Sequence, residues 1–149
     1  MKVALVSSSG GHLLQLHQLE SWWEKHERYW VTFPTADARS LLAREEVHWA
    51  HHPTTRNVPN LLRNLVLARR VLGERRPDVI VSTGAGVAFP FFLIARLLGV
   101  KTVYLEVYDR IELRTLTGRL CHPLSHLFLV QWDEQQRLYR RAQVIGRVL

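Results

Sequence analysis

The chain alternates between short apolar runs and longer segments that carry apolar residues on one helical face. The apolar runs show little alternation of apolar and polar residues, as is typical of parallel strands covered on both faces. They predict seven strands, at Val3–Val6, Tyr29–Phe33, Val47–Ala50, Asp78–Ser82, Lys101–Glu106, Leu127–Val130 and Gln143–Ile145. We therefore expect a central parallel sheet.

Helical periodicity fills the segments between these strands. The predicted helices are Leu13–Trp23, Ala36–Arg44, Leu61–Arg76, Gly86–Leu98, Thr115–Cys121 and Glu134–Arg140. Pro77 and Gly99 follow two of them directly, and both residue types are common where helices end. Strands that alternate with helices indicate a Rossmann-like α/β fold, with a parallel sheet and helices on both of its faces.

The length of 149 residues fits one domain, 1–149, and the 47% of hydrophobic residues excludes a disordered chain. The most apolar stretch, Val87–Leu98, is interrupted by Pro90 and Arg96. It falls short of the ~20 apolar residues that span a bilayer. We expect neither a transmembrane helix nor a signal peptide.

Few residues suggest a metal centre or a disulfide. The single cysteine, Cys121, excludes a disulfide framework and fits a reducing compartment, which favours the cytoplasm. It is expected to be a buried apolar residue and not a nucleophile. The candidates for metal binding are His48, His51 and His52. No carboxylate or cysteine accompanies them at metal-like spacing, so we expect no metal site there.

The net charge of +7 comes mainly from arginine, with 17 arginines against 3 lysines. Arginine favours bidentate contacts to phosphate, so the charge indicates a nucleic acid, an anionic lipid or a phosphorylated ligand. Along Leu61–Arg76 the arginines interleave with leucines, and such a helix either contacts an anionic membrane or presents an ordinary solvated face. Stacking aromatics and a reading helix are not evident, so nucleic acid is not the expected partner.

Two glycine-containing loops follow predicted strands. Ligands of open parallel sheets bind beyond the carboxyl ends of the strands. The first loop holds Ser9, Gly10 and Gly11, and the second, Ser82–Gly86, holds Thr83, Gly84 and Gly86. Glycine lets a ligand approach the backbone, and the following helix offers free N–H groups to an anion. Neither loop has the spacing of a P-loop or a dinucleotide fingerprint. Together they suit a pyrophosphate, although a serine-capped tight turn also explains the first.

Three side chains near these strand ends are candidates for chemistry. His12 is either a general base or a histidine that caps the first loop. Glu106 ends a strand, where a carboxylate can accept a proton or bind sugar hydroxyls. Arg110 either binds phosphate or pairs with Asp109.

Several motifs in this order resemble one family. They are Ser8–Leu13, Ser82–Ala88, Tyr104–Glu106, Leu116–Arg119 and Val130–Trp132. They resemble the family of the membrane-anchor subunit of the eukaryotic dolichol-linked GlcNAc transferase, whose bacterial relatives include the PssD and CpsF proteins of exopolysaccharide and capsule synthesis. The resemblance covers nearly the whole chain. More distantly, the loops and the strand-end glutamate are similar to the N-terminal half of the GlcNAc transferase that makes lipid II.

This resemblance implies the N-terminal, acceptor-binding half of a GT-B glycosyltransferase. It implies a hexosyl- or N-acetylhexosaminyltransferase subunit that is inactive alone and works in exopolysaccharide, capsule or lipid-linked oligosaccharide synthesis. A separate subunit would bind the UDP-sugar donor, and this chain would bind a lipid-pyrophosphate-linked sugar at the cytoplasmic face of the plasma membrane. No cofactor or metal is implied. The donor domain is expected to be absent from residues 1–149.

The resemblance also implies roles for single residues. His12 would deprotonate the acceptor hydroxyl, Glu106 would bind or orient the acceptor sugar, and Arg110 would assist with phosphate charge. The pyrophosphate would contact Ser9, Gly10, Gly11, Thr83, Gly84 and Gly86. The eukaryotic subunit has an N-terminal membrane anchor, whereas the first strand here begins at Lys2, so attachment is expected to be peripheral. The alternative is a non-catalytic adaptor that recruits and stabilises a transferase subunit at the membrane.

Overall fold

A computed structural model describes residues 1–148 and contains one seven-stranded sheet. The strands are β1 Lys2–Ser7, β2 Glu27–Thr32, β3 Val47–Trp49, β4 Val79–Gly84, β5 Lys101–Leu105, β6 Leu127–Val130 and β7 Gln143–Val144. All neighbours pair in parallel, in the order β3-β2-β1-β4-β5-β6-β7. The seven predicted strands and their parallel arrangement are confirmed.

Within residues 1–148, seven helices and a 3₁₀ turn at His122–Leu124 connect the strands. The helices are α1 Gly11–His17, α2 Glu20–Trp23, α3 Ala36–Leu41, α4 Val58–Arg75, α5 Ala88–Leu98, α6 Leu116–Cys121 and α7 Asp133–Gln136. Among residues 1–148, no helix is both long and apolar enough to cross a membrane.

Several predicted helix boundaries are wrong. The helix predicted at Ala36–Arg44 ends at Leu41, and the one predicted at Gly86–Leu98 begins at Ala88. The helix predicted at Leu13–Trp23 is divided, because the chain tightens at Leu19, whose N–H donates to the carbonyl three residues back, at 3.2 Å. Helix α4 starts earlier than predicted, since Asn57 caps it by accepting a hydrogen bond from the Asn60 N–H at 2.9 Å. Helix α7 ends at Gln136, and Tyr139 then enters the core.

Buried side chains cover both faces of the sheet. Alternate residues of β1 show the division, since Ala4 and Val6 belong to the cluster under α4 and α5, whereas Val3 and Leu5 belong to the cluster under α1 and α3. Both faces are therefore covered, which explains why the strands read as continuous apolar runs. The polar loops therefore lie at the two ends of the sheet.

Candidate functional site

The two glycine-containing loops lie side by side at the centre of the sheet. They follow β1 and β4, which are hydrogen-bonded neighbours at the point where the strand order reverses direction. Ser7 pairs with Gly84, and the Ser8 N–H donates to the Gly84 carbonyl at 3.4 Å. Ligands of this fold class bind at such a switch point.

A reciprocal pair of hydrogen bonds joins the loops through His12 and Thr83. The His12 Nδ1 donates to the Thr83 carbonyl at 2.9 Å, and the Thr83 hydroxyl donates to the His12 carbonyl at 2.5 Å. A carbonyl oxygen only accepts, so in the neutral imidazole the proton lies on Nδ1. Nε2 then carries the free lone pair, and it has no hydrogen-bond partner within residues 1–148. The half-buried His12 ring can accept a proton at this atom.

The first loop is partly engaged by a carboxylate of the chain itself. Gly10 has a φ of 78°, and its N–H donates to Asp37 Oδ2 at 2.9 Å. The first helical bond runs from the Leu14 N–H to the Gly10 carbonyl at 3.0 Å, which leaves the N–H groups of Gly11 and His12 outside the helical pattern. A phosphate at Gly10 would have to replace Asp37. The half-buried Ser9 and the exposed Gly11 lie in the same turn.

Contacts within the protein explain most of the residue types in the second loop. Gly84 has a φ of 102°, and a Cβ there would overlap the Tyr104 hydroxyl. A Cβ on Gly86 would overlap Thr54 in the same way. The Thr83 side chain is fully buried, and its hydroxyl donates to the His12 carbonyl. Of the three predicted positions in this loop, only Gly86 is partly exposed.

Glu106 lies inside the protein, at the end of β5. Its Oε2 accepts hydrogen bonds from the Tyr139 hydroxyl at 2.7 Å and the Thr115 hydroxyl at 3.0 Å, while Oε1 accepts from the Val107 N–H at 3.1 Å. Burial, and then this carboxylate, raise the pKa of Tyr139 above its ordinary value, so the phenol stays a donor. Only 1% of Glu106 is exposed, and no oxygen is open to a sugar in this arrangement.

The Thr115 hydroxyl connects Glu106 to the first turn of α6. The Thr115 hydroxyl accepts from the Gly118 N–H at 2.9 Å and so caps α6. A Cβ on Gly118 would lie 2.6 Å from Glu106 Oε2, so this position needs glycine. The contacts of Glu106 thus fix where α6 begins.

Sequence reasoning missed three buried glutamines that surround this strand end. Gln131 Nε2 donates to Gln15 Oε1 at 2.8 Å and to the Glu106 carbonyl at 3.0 Å. Gln135 Nε2 donates to the Val107 carbonyl at 2.7 Å. All three side chains are at most 2% exposed. Gln131 lies in a motif quoted for the family resemblance, but nothing in the sequence marks Gln15 as its partner.

Arg110 ends the segment that these glutamines hold. Its carbonyl accepts from Gln135 Nε2 at 3.1 Å, while its side chain is exposed. The ion pair with Asp109, one of the two sequence interpretations, does not form in the part of the chain that the structure describes. The backbone of Arg110 is thus fixed at the carboxyl edge of the sheet, and its guanidinium is exposed there.

An apolar cavity of about 410 Å³ opens beside Gly86. It lies between the first turns of α4 and α5 and the helix α6. Its apolar walls come from Val58, Leu61, Phe89, Leu116 and Leu120, and its polar rim includes Arg56. The second loop therefore borders an apolar surface as well as His12. Across residues 1–148, no group of three or more His, Cys, Asp or Glu residues is arranged to hold a metal ion.

Comparisons with known proteins agree with this architecture. The chain is similar to the UDP-N-acetylglucosamine transferase subunit alg14 of Schizosaccharomyces pombe, with 39% identity over 77 residues, covering 48% of this chain and 37% of the relative. It is 27% identical over 88 residues to the UDP-N-acetylglucosamine–N-acetylmuramyl-(pentapeptide) pyrophosphoryl-undecaprenol N-acetylglucosamine transferase of Alkaliphilus metalliredigens, covering 59% of this chain and 23% of that enzyme. The matched segments thus span less than half the length of either relative.

The fold is also found in solved structures. The crystal structure of Acinetobacter baumannii MurG matches 97% of this chain with a TM-score of 0.78 and 17% identity, and the match covers 45% of that protein. The predicted Rossmann-like, GT-B type domain is confirmed.

The family resemblance drawn from the motifs is also confirmed. A family model described as "Oligosaccharide biosynthesis protein Alg14 like" matches residues 50–148, which are 99 of the 149 residues. The chain belongs to this Alg14-like family of oligosaccharide biosynthesis proteins.

Proposed function

We propose that this chain is the acceptor-binding subunit of a split glycosyltransferase, and that a separate partner subunit binds the UDP-sugar donor. Family membership supports a subunit role, since the S. pombe relative is named as a transferase subunit. The observation that carries the proposal is the His12–Thr83 pair, which leaves one imidazole nitrogen free at the switch point of the sheet. Residues 1–149 act in this proposal as one acceptor domain.

His12 acts as the general base. Its Nε2 takes the proton of the acceptor hydroxyl while that oxygen attacks the anomeric carbon of the donor sugar. The bond between the anomeric carbon and the UDP oxygen breaks, and UDP leaves with the electron pair. The Thr83 carbonyl keeps the ring in one orientation and accepts from Nδ1 throughout. The step uses no resident cofactor or metal, and the partner supplies the contacts to UDP.

The acceptor is a lipid-pyrophosphate-linked sugar. We assign its pyrophosphate to the two glycine-containing loops and to Arg110, whose exposed guanidinium suits a phosphate. The N–H groups of Gly11 and His12 are available to it, whereas the buried Gly84 shapes the loop. We assign the start of the lipid to the apolar cavity beside Gly86, because it is the apolar surface that this loop borders.

The lipid part of the acceptor requires contact with a membrane, and the outer surface of α4, α5 and α6 suits one. Its most exposed apolar side chains are Val58, Leu62, Val66, Leu97 and Leu116, each at least 57% exposed. Arginines accompany them on α4. Helix α4 carries four arginines and one acidic residue, Glu74. This surface, the α4–α6 face, fits an anionic bilayer and peripheral attachment at the cytoplasmic side.

Charge reversal on this face is expected to weaken membrane binding. Arg69→Glu with Arg70→Glu should lower binding to vesicles of phosphatidylglycerol and phosphatidylcholine about 30-fold or more, since each basic residue contributes about 1 kcal/mol near an anionic surface. Vesicle sedimentation measures this. The matched control, Arg44→Glu with Arg137→Glu, changes the net charge equally on exposed residues elsewhere. An equal loss in both pairs would show that overall charge, and not this face, drives binding.

Reconstitution tests the proposed function itself. This chain and a candidate donor-domain subunit are added, separately and together, to membranes with lipid-linked acceptor and radiolabelled UDP-sugars. We expect sugar transfer only when both chains are present. Transfer by the partner alone would contradict the proposal and would leave this chain as an adaptor that recruits the transferase to the membrane.

A further inference from the structure

We propose that Gln15 is a positioning residue that joins the helix of His12 to the segment that carries Arg110. The inference rests on the proposed function, because it assigns His12 the role of base. Gln15 lies one helical turn beyond His12 on α1, and its side chain is 2% exposed. It touches neither of the proposed substrates and acts through the backbone that it holds.

One amide oxygen makes this connection. Gln15 Oε1 accepts from the Tyr108 N–H at 3.2 Å and from Gln131 Nε2 at 2.8 Å. These donors stand 93 and 116 residues away in the sequence, after β5 and β6 respectively. Gln131 also donates to the Glu106 carbonyl at 3.0 Å. Gln15 therefore links the segment after β1, in which it lies, to the segments after β5 and β6.

Helix α1 is consequently held at two points. His12 fixes it to the end of β4 through Thr83, and Gln15 fixes it to the segment after β5. The second attachment sets the position of the Val107–Arg110 segment relative to the imidazole. Gln135 keeps that segment in shape by donating to the Val107 and Arg110 carbonyls at 2.7 and 3.1 Å. Without the Gln15 oxygen, the segment keeps its hydrogen bonds to Trp132 and Gln135 but loses the one that ties it to the helix of His12.

The pattern of partners explains why a glutamine suits this position. The oxygen has two donors to satisfy in a buried environment, where an unpaired N–H is costly. Methionine has a similar length and no comparable acceptor. Glutamate retains an acceptor oxygen at the same distance from the backbone. The pair Gln15→Met and Gln15→Glu therefore separates the loss of the acceptor from the loss of side-chain volume.

The first readout is structural and needs no transferase activity. By hydrogen-exchange NMR on the isolated chain, Gln15→Met should speed exchange of the Tyr108 amide about tenfold, which is the effect of one lost hydrogen bond. Gln15→Glu should keep the protection. Gln18→Met, a change at the exposed glutamine that caps the end of the same helix, is the control and should change nothing. Unchanged Tyr108 exchange in Gln15→Met would overturn the proposal.

The second readout is kinetic and uses the reconstituted enzyme. Gln15→Met should lower kcat about tenfold and leave the KM of the donor within twofold, with recovery in Gln15→Glu. Faster Tyr108 exchange with an unchanged kcat would overturn the positioning role. An inactive wild-type complex would instead contradict the proposed function, and the exchange data would still test the link. If Gln15→Met does not fold, Gln15→Asn, whose shorter side chain withdraws the oxygen from the Tyr108 N–H, is put through both measurements with the same expected results.

Discussion

Replacing His12 with alanine is expected to lower sugar transfer by the assembled enzyme ~100-fold or more, the usual contribution of a positioned general base. The substitution removes the nitrogen that receives the acceptor proton and leaves the glycine backbone in place. Thr83 loses one partner, but its hydroxyl still donates to the carbonyl at position 12. The loop pair is therefore expected to hold, and the loss should appear in kcat and not in assembly with the partner.

The control for this prediction is His26→Ala. His26 is half-buried just before β2, at the opposite end of the sheet, and packs edge-on against Trp22 with 5.1 Å between ring centroids. It should leave transfer within about twofold of wild type, as expected for surface changes away from the site. Radiolabelled transfer and co-purification with the partner are measured for each variant. His12→Ala with transfer within threefold of wild type would rule out the base and favour the adaptor.

Replacing Glu106 with alanine is expected to lower the free energy of unfolding by about 3 kcal/mol. Three donors lose their acceptor at once: the buried Tyr139 hydroxyl and Val107 N–H and the half-buried Thr115 hydroxyl. Glu106→Gln keeps a carbonyl oxygen for Tyr139 and should cost about 1 kcal/mol. Denaturation in urea measures both values. Glu112→Ala, a change at an exposed glutamate of the same segment, is the control and should stay within about 0.5 kcal/mol.

The two Glu106 variants also separate a structural role from direct contact with the acceptor sugar. The buried carboxylate and its protein partners favour a structural role, in which the transfer rate follows stability and Glu106→Gln retains most of it. A stable Glu106→Gln protein that has lost transfer would support the sugar contact implied by the family resemblance. A stable Glu106→Ala protein would contradict the hydrogen-bond argument.

The sequence predicted the sheet well because strand formation here depends on local pattern. Both faces of strands such as β1 and β4 are covered, so Val3–Val6 and Val79–Val81 form uninterrupted apolar runs. The placement of both glycine-containing loops at the same edge of the sheet followed from the parallel arrangement of the strands that precede them. The break at Leu19 was missed, because its apolar spacing continues through the turn and only the tightened hydrogen bond reveals it.

The environment of the candidate site was harder to predict because its partners are distant in the sequence. Glu106 finds Tyr139 across 33 residues, and Gln15 finds Gln131 across 116. A strand-end carboxylate has the same local sequence whether it faces solvent or the interior. The arrangement that buries Glu106 is set by where α6 and α7 pack, and no periodicity encodes that.

The hydrogen bond that orients His12 ends on a main-chain oxygen, and this affects how the site tolerates variation. Every residue at position 83 supplies a carbonyl, so no side-chain replacement there deletes the acceptor of Nδ1. Thr83→Ser retains the returning hydroxyl as well, and Thr83→Ala removes only that second bond. The tautomer of His12 therefore does not depend on which side chain occupies position 83, and relatives can vary that residue without changing which nitrogen carries the free lone pair.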